Sequence, residues 1–347
     1  MNQEIKLSII VPMYKIAPYV ERCIRSLARQ DLQFEEYEII CVNDGSPDDC
    51  SEIVRELQKK VPNIILLEQE NQGVSVARNN GMAIAKGKYL MMIDADDYIT
   101  EDTLKNGLDL LAVNDADVAI SGYSILKEDD SVQYSFEIAT YQSQCMTGIN
   151  FYNTYMKGRS EIQDSDRSCG FFFKRAFLEA NNLKYLTNVP YLEDGELMSR
   201  IFCLSKCTIF IKEILYQRTT RPGSAVNSPL FFTDKAINGF YKSAHNLMTF
   251  KTNQCTTKEQ KEFMNQPIIK FTMLYLNALG VPKLMSNYKT ITKKLRQSGL
   301  NRLEVVGANS LYTRMAKYYN INVLVYYAYW KIRGLKMSLE KRMLKSS

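Results

Sequence analysis

Three carboxylates fall within four positions at Asp94-Ala95-Asp96-Asp97. Carboxylates packed this closely repel one another unless a hard cation lies between them, and Mg²⁺ or Mn²⁺ would take one or two of them and fill its shell with phosphate oxygens. Taken alone, the run also reads as an acidic turn before the helix that Thr100 caps. Other polar clusters accompany it: Pro12-Met13-Tyr14, Asn43-Asp44-Gly45-Ser46, Asn71 to Asn79, Glu193-Asp194 and Arg221-Pro222-Gly223-Ser224. Together they offer acids, bases and a cation. The chain has one histidine, His245, and no Cys-x-x-Cys among its eight cysteines, which speaks against a zinc site or a histidine-based triad. The cysteines read as reduced and mostly buried. Neither G-x-G-x-x-G in the first turn nor G-x-x-x-x-G-K-[ST] is present, so a dinucleotide-binding Rossmann domain and a P-loop are excluded.

The clusters need elements to position them. Short apolar runs at 7–11, 37–42, 64–67, 89–93 and 117–121 alternate with helical spacing at Val20-Ile24-Leu27, Ile53-Val54-Leu57, Val74 to Ala85 and Leu104-Leu108-Leu111. That alternation predicts βαβ units and a mostly parallel sheet flanked by helices. Ligands of such sheets bind beyond the carboxyl ends of the strands, where the first four clusters fall. Residues 122–215 are less regular, with strands expected at 171–173 and 209–211 and short helices at 177–181 and 196–204. Beyond about Pro229 the chain reads as helices at 230–250, 257–279, 283–298 and 311–333. The expected domains are therefore 1–228, an α/β unit whose regular part is 1–121 and whose less regular part is 122–228, and 229–347, a basic helical C-terminal region.

A chain of 347 residues, 46% hydrophobic and 24% charged, is long enough for about two packed domains and is not a disordered or disulfide-scaffold sequence. Its charge is uneven. Residues 1–230 hold 24 basic and 33 acidic side chains, whereas 231–347 hold 20 basic and 5 acidic. The aromatic run Tyr326, Tyr327, Tyr329 and Trp330, followed by Lys331, Arg333, Lys336 and Lys341, suits an interfacial helix on an anionic membrane, a helix packed on its own domain, or a homo-oligomer contact. No nucleic-acid-binding motif accompanies the charge, so no nucleic acid partner is expected. The amino-terminal apolar run reads as a first strand, not a signal peptide. The expected location is cytoplasmic, peripheral on the inner face of the cell membrane if the C-terminal helices bind lipid.

The ordered blocks Ser8-Ile9-Ile10-Val11-Pro12-Met13-Tyr14, Val42-Asn43-Asp44-Gly45-Ser46, Asn71-Gln72-Gly73-Val74-Ser75-Val76-Ala77-Arg78-Asn79, Asp94-Ala95-Asp96-Asp97, Gly170 to Arg175 and Tyr191-Leu192-Glu193-Asp194 resemble glycosyltransferase family 2. The resemblance fades after Tyr216 and the Arg221 turn. It implies a GT-A fold and inverting transfer of one sugar from a UDP-sugar to a saccharide or lipid-linked glycan acceptor, of the kind found in bacterial surface polysaccharide synthesis. By the same resemblance, Pro12 and Tyr14 would line the nucleotide pocket, and Asp44 would accept from the uracil imide N–H. Arg78 would lie near the base or diphosphate. Asp94 would touch ribose or metal, and Asp96 would be the main ligand of Mg²⁺ or Mn²⁺, with Asp97 in support. Asp194 matches the base position, with Glu193 beside it, and Arg221 with Ser224 would close over the departing diphosphate. Two features depart from the family. Lys15 stands where Asn often follows the tyrosine, and the Gln-x-x-Arg-Trp motif of processive members is missing, which implies a non-processive enzyme. A nucleotidyltransferase acting on a sugar phosphate, or a non-catalytic protein binding sugar nucleotides, are the competing functions.

Overall fold

Strands β1 (Leu7–Met13) and β2 (Tyr37–Asp44) are buried almost throughout, because helices cover both faces of the sheet they enter. β1 pairs in parallel with β2 on one side and with β4 (Tyr89–Met92) on the other, and β3 (Ile64–Gln69) extends β2 in parallel. The structure, a computed structural model, describes residues 4–138, 144–156, 167–220 and 232–333. Helices α1 (Ala17–Ala28), α2 (Cys50–Gln58) and α3 (Val74–Ile84) supply the crossovers that parallel strands require. The first four strands follow the expected reading, and β1, β2 and β3 each run two residues further than the apolar pattern predicted.

The second half of the sheet adds antiparallel strands to this parallel core. After the two-residue β5 (Tyr98–Ile99), helix α4 (Leu104–Asn114) leads to β6 (Val118–Leu126), which carries the exposed partner β7 (Val132–Phe136). A short helix α5 (Gly148–Phe151) continues as a π-helical turn over Tyr152–Met156. β8 (Phe172–Lys174) inserts antiparallel between β4 and β6, then α6 (Arg175–Ala180), α7 (Glu193–Leu204) and β9 (Thr208–Thr219) follow. β9 runs parallel to β6 and antiparallel to β5, giving the order β3-β2-β1-β4-β8-β6-β9-β5. The sequence pattern missed β5, too short for a period, and β7, whose first residues are exposed. Helix α7 begins at Glu193, three residues earlier than expected. Three acidic residues occupy its first turn, where the helix dipole favours them.

The chain divides into two compact units, Met1–Ser228 and Pro229–Ser347. The second unit is helical: α8 (Asp234–Asn253), α9 (Lys258–Ser286), α10 (Tyr288–Gln297), α11 (Ser310–Ile321) and a further helix over 323–333. A capping box at Thr257 and Gln260 starts α9, and Gly280, at φ 70°, kinks it where the 257–279 helix was expected to end. The helix expected over 311–333 is broken at Asn322. Its backbone is extended, and its side chain accepts from the Leu324 N–H at 2.8 Å, ending one helix and capping the next. Tyr326 and Tyr327 point inward. Tyr326 donates to Asn277 Oδ1 at 2.7 Å and Tyr327 to the Leu276 carbonyl, so the aromatic run packs on its own unit. Leu324, Val325, Trp330 and Ile332 stay on the surface. Among the described residues no helix is long and apolar enough to cross a membrane.

The expectation of eight reduced cysteines needs correction. Cys145 and Cys207 are joined as a disulfide, and the other six are buried thiols outside any disulfide. Cys145 lies two residues before the Thr147 cap of α5, and Cys207 just before β9, so the bond ties the starts of these two elements.

Candidate active site

The carboxyl ends of β1 to β4 bring the polar clusters together. Gly45 (φ 63°) and Gly73 (φ 91°) take left-handed backbone conformations that let the β2 and β3 exits turn back on each other; a side chain on Gly45 would meet the Asn71 nitrogen at 2.8 Å. Between them Asp44 is buried, accepting from Gln69 Nε2 at 2.7 Å and from the Gln72 and Gly73 N–H groups at 2.8 Å each. The two backbone donors belong to the entry of α3, a natural anion site. A carboxylate has about four acceptor positions. Three are filled, so the expected uracil contact would use the fourth. Tyr14 projects 46% exposed beyond β1, and the Lys15 N–H donates to Ser46 Oγ at 2.8 Å, fixing Tyr14 against the β2 loop. Pro12, partly buried, sits within β1 beneath this rim.

Arg78, expected near the base or diphosphate, is a buried residue. It lies on the second turn of α3, 2% exposed, at the centre of a carboxylate cluster. Its Nη2 donates to Asp94 Oδ1 at 2.7 Å, and its Nη1 to Glu193 Oε1 at 2.9 Å and Asp194 Oδ1 at 3.2 Å. Its guanidinium also stacks over the Tyr185 ring, 5.0 Å from the centroid. Burial disfavours the guanidinium charge, but Asp194, Tyr185 and Asp94 outweigh this and raise its pKa. Burial works against the Asp94 charge too, yet the charge and hydrogen bond of Arg78 hold its carboxyl below the usual range.

Asp194 opens α7. The buried pair Glu196–Arg200, with bonds of 2.9 and 2.7 Å, and Arg200 donating to the Lys184 carbonyl at 2.7 Å, lock this helix start against the preceding segment. That segment is locked in turn to α3, since Asn79 and Tyr185 exchange two bonds of 2.9 Å. Ser168 donates to Asp194 Oδ1 at 2.6 Å and contacts the Tyr185 hydroxyl at 2.5 Å, so tyrosine, serine and aspartate form a relay. Among the described residues Asp194 Oδ2 has no hydrogen-bond partner. Burial pushes the Asp194 carboxyl up to about 7; Arg78 opposes this, while the charges of Glu193 and Asp94 add to it.

The Asp94, Asp96 and Asp97 carboxylates each offer an oxygen, all within 4.8 Å of one another. An all-oxygen, anionic donor set of this span fits a hard divalent cation. Asp97 is more committed than the sequence indicates. It is buried and accepts from the Tyr216 hydroxyl and, at 2.7 Å, from the Thr219 N–H. Burial, with the neighbouring charges of Asp96 and Asp94, pushes its carboxyl up to about 8. Strand β9 thus braces the acidic turn from behind, and Thr219 Oγ1 also donates to the Asp96 carbonyl at 2.7 Å. Tyr216 had marked only the end of the resemblance; its role, like those of Ser168 and Tyr185, had no local signal. Arg221 and Ser224 lie outside the described residues. His245 is on α8 in the other unit.

The doubly flanked sheet with acidic turns at its strand ends is a GT-A glycosyltransferase fold. The structure of Staphylococcus aureus TarS 1-349 in complex with UDP-GlcNAc superposes with a TM-score of 0.69 over 94% of this chain and 92% of that one, at 18% identity. Residues 8–179, just under half of the chain, match the family described as Glycosyl transferase family 2. Glycosyltransferase GlyA of Streptococcus pneumoniae is 26% identical over 301 residues, 86% of this chain, and the chain spans only 42% of GlyA. The glycosyltransferase EpsJ of Bacillus subtilis is 28% identical over 293 residues, 84% of this chain and 82% of EpsJ. TarS itself, a poly(ribitol-phosphate) beta-N-acetylglucosaminyltransferase, is 26% identical over 214 residues, 57% of this chain and 37% of TarS.

Proposed function

We propose that the protein transfers one sugar from a UDP-sugar to a hydroxyl of a saccharide or lipid-linked glycan, with inversion, in surface polysaccharide synthesis. The observation that carries this reading is the single guanidinium of Arg78, which gathers the acidic turn (Asp94) and the candidate base (Asp194) into one site. TarS, whose structure holds UDP-GlcNAc, supports the choice of donor. Residues 1–121 bind the donor in this reading and 122–228 the acceptor. Tyr14 and Pro12 flank the base, Asp44 takes the uracil imide N–H, and Arg221 completes the diphosphate site.

Asp94 and Asp96 would hold Mg²⁺ or Mn²⁺, which offsets charge on the diphosphate when bound. The chain's own residues perform the proton transfer. Asp194 Oδ2 accepts the acceptor hydroxyl proton, while Oδ1 stays fixed by Ser168 and Arg78. A base whose pKa lies near 7 is matched to work at neutral pH. One displacement without a covalent sugar–enzyme intermediate inverts the anomeric centre.

The C-terminal unit carries the expected excess of basic residues and exposes Leu324, Val325, Trp330 and Ile332. These favour peripheral contact with an anionic membrane on the cytoplasmic side, or with a second copy, through this surface and not through Tyr326. A panel of UDP-sugars tests the central reading. One donor is expected to yield UDP in a metal-dependent reaction, with the opposite anomer in the product; a retained anomer rules out the single displacement.

A further inference from the structure

Arg167 is only 5% exposed, and none of its three side-chain nitrogens has a hydrogen-bond partner among the described residues. Its guanidinium carbon sits over the Tyr123 ring at 3.9 Å and over the Phe171 and Tyr216 rings at 4.9 Å. Rings attract the cation through their faces and use none of its N–H groups. Five donors in a fixed fork remain unused. A buried guanidinium left this way is costly, and a cage of three aromatic residues only partly offsets the lost hydration.

The position of the cage gives that cost a purpose. Tyr216, one wall, donates its hydroxyl to Asp97 in the acidic turn. Ser168, the next residue along the chain, donates to the candidate base Asp194 at 2.6 Å. Gly170, just beyond, donates to the Met92 carbonyl at 2.9 Å, two residues before Asp94. Arg167 is therefore one ring away from the acidic turn and one residue away from the serine that holds the base, and among the described residues it pairs with neither carboxylate group. A planar fork with unused donors matches the paired oxygens of a phosphate better than any single hydroxyl.

We infer that Arg167 is a binding residue for a phosphate group at the transfer site, held rigid by Tyr123, Phe171 and Tyr216 in advance of its ligand. The phosphate belongs either to the donor diphosphate or to a phosphodiester in the acceptor. This inference rests on the transferase reading above and deepens it. Pre-stacking fixes the side chain before binding, so little rotamer freedom is lost when the phosphate arrives.

Calorimetric titration of the full chain with Mn²⁺ present separates the possibilities, using uridine, UMP and UDP, then glycerol 3-phosphate with UDP saturating. Arg167→Met fills the cage with an apolar stem, and Arg167→Lys keeps the charge but loses the fork. Arg167→Met is expected to melt no lower than wild type without ligand, because it removes an unpaired buried cation. The affinity contributed by phosphate should nevertheless fall about tenfold to a hundredfold, the usual worth of a charge-assisted bond, while uridine binding holds. Arg167→Lys should fall between, and carries the test if Arg167→Met does not fold. Loss confined to UMP and UDP assigns the donor phosphate; loss confined to glycerol 3-phosphate assigns the acceptor. Unchanged binding of every probe in Arg167→Lys overturns the inference and leaves Arg167 a packing residue. If wild type binds no UDP, the donor reading falls. Arg167-dependent binding of inorganic phosphate would then still uphold the inference, and its absence would overturn it.

Discussion

The loop around Asp44 and the cluster around Arg78 both bury carboxylate charge, one with short-range donors and the other with a shared cation. Asp44 is held by Gln69 and by two N–H groups at the start of α3, all from one neighbouring loop. Asp94 comes from one place in the chain and the neighbours Glu193 and Asp194 from another, and all three lean on a single guanidinium. The first arrangement is fixed by the backbone and makes a rigid recognition point. In the second, removing any member changes the charge felt by the others, which suits a site where a proton must move. Burial drives Asp194 up to about 7, and Arg78 keeps it from rising further.

Removing Arg78 should break the cluster most severely. Arg78→Met leaves three acidic groups near one another without their cation, and breaking a buried charged network in this way costs about 3–5 kcal/mol. Denaturant unfolding of the N-terminal unit checks it. A loss below 1 kcal/mol would show that the carboxylates take up protons at little cost and that the cluster is less coupled than its geometry indicates.

Asp194→Asn sharpens the contrast by separating stability from chemistry. Turnover should fall about 10²–10⁴-fold, the usual contribution of a positioned base, while UDP affinity stays near wild type. The raised pKa sets the sign for folding. From the ordinary carboxyl range near 4 up to about 7 the folded state holds the Asp194 proton and the unfolded state has released it, so this group's contribution to stability declines across that window as pH rises. Metal-free Asp194→Asn should therefore lose that slope and be more stable than wild type at pH 8.

Asp44→Asn probes the other side of the comparison. An amide keeps the shape but turns one acceptor into a donor facing N–H groups, at an expected cost of about 1–3 kcal/mol. Its loss of UDP affinity should exceed its loss of turnover at saturating donor, the reverse of Asp194→Asn. The smallest effect concerns pH. Below about 7 wild-type turnover should fall tenfold per unit as the base protonates. A profile flat from pH 5 to 8 would remove Asp194 from that role.

The parts of this picture that lie within one βα unit were legible in the sequence. Apolar runs marked β1 to β4, and each carried its polar cluster at the carboxyl end, so the strand-end positions of Asp44, Asp94 and Asp96 follow from the sequence pattern. Arg78 was picked out, but its contacts to Glu193 and Asp194 were not, because they depend on where α7 packs and leave no local pattern. The same reason hid Tyr185, Ser168 and Tyr216, which reach the site across many residues of chain. Arg167 gave no signal at all: a lone arginine before Ser-Cys-Gly reads as surface, and only the converging rings of β6 and β9 bury it. In the helical unit the aromatic run was visible, but its direction was not. Hydrogen bonds to Leu276 and Asn277 turn Tyr326 and Tyr327 inward, which no periodicity over 311–333 could reveal.

Titration of UDP into the full chain with and without Mn²⁺, for wild type and Asp96→Ala, tests the central claim most directly. The claim is that the acidic turn at the end of β4 holds the donor diphosphate through a divalent cation. Wild type is expected to bind UDP more tightly with Mn²⁺, and Asp96→Ala should bind it equally weakly in both conditions. Equal UDP affinity with and without Mn²⁺ in the wild-type protein would contradict the account.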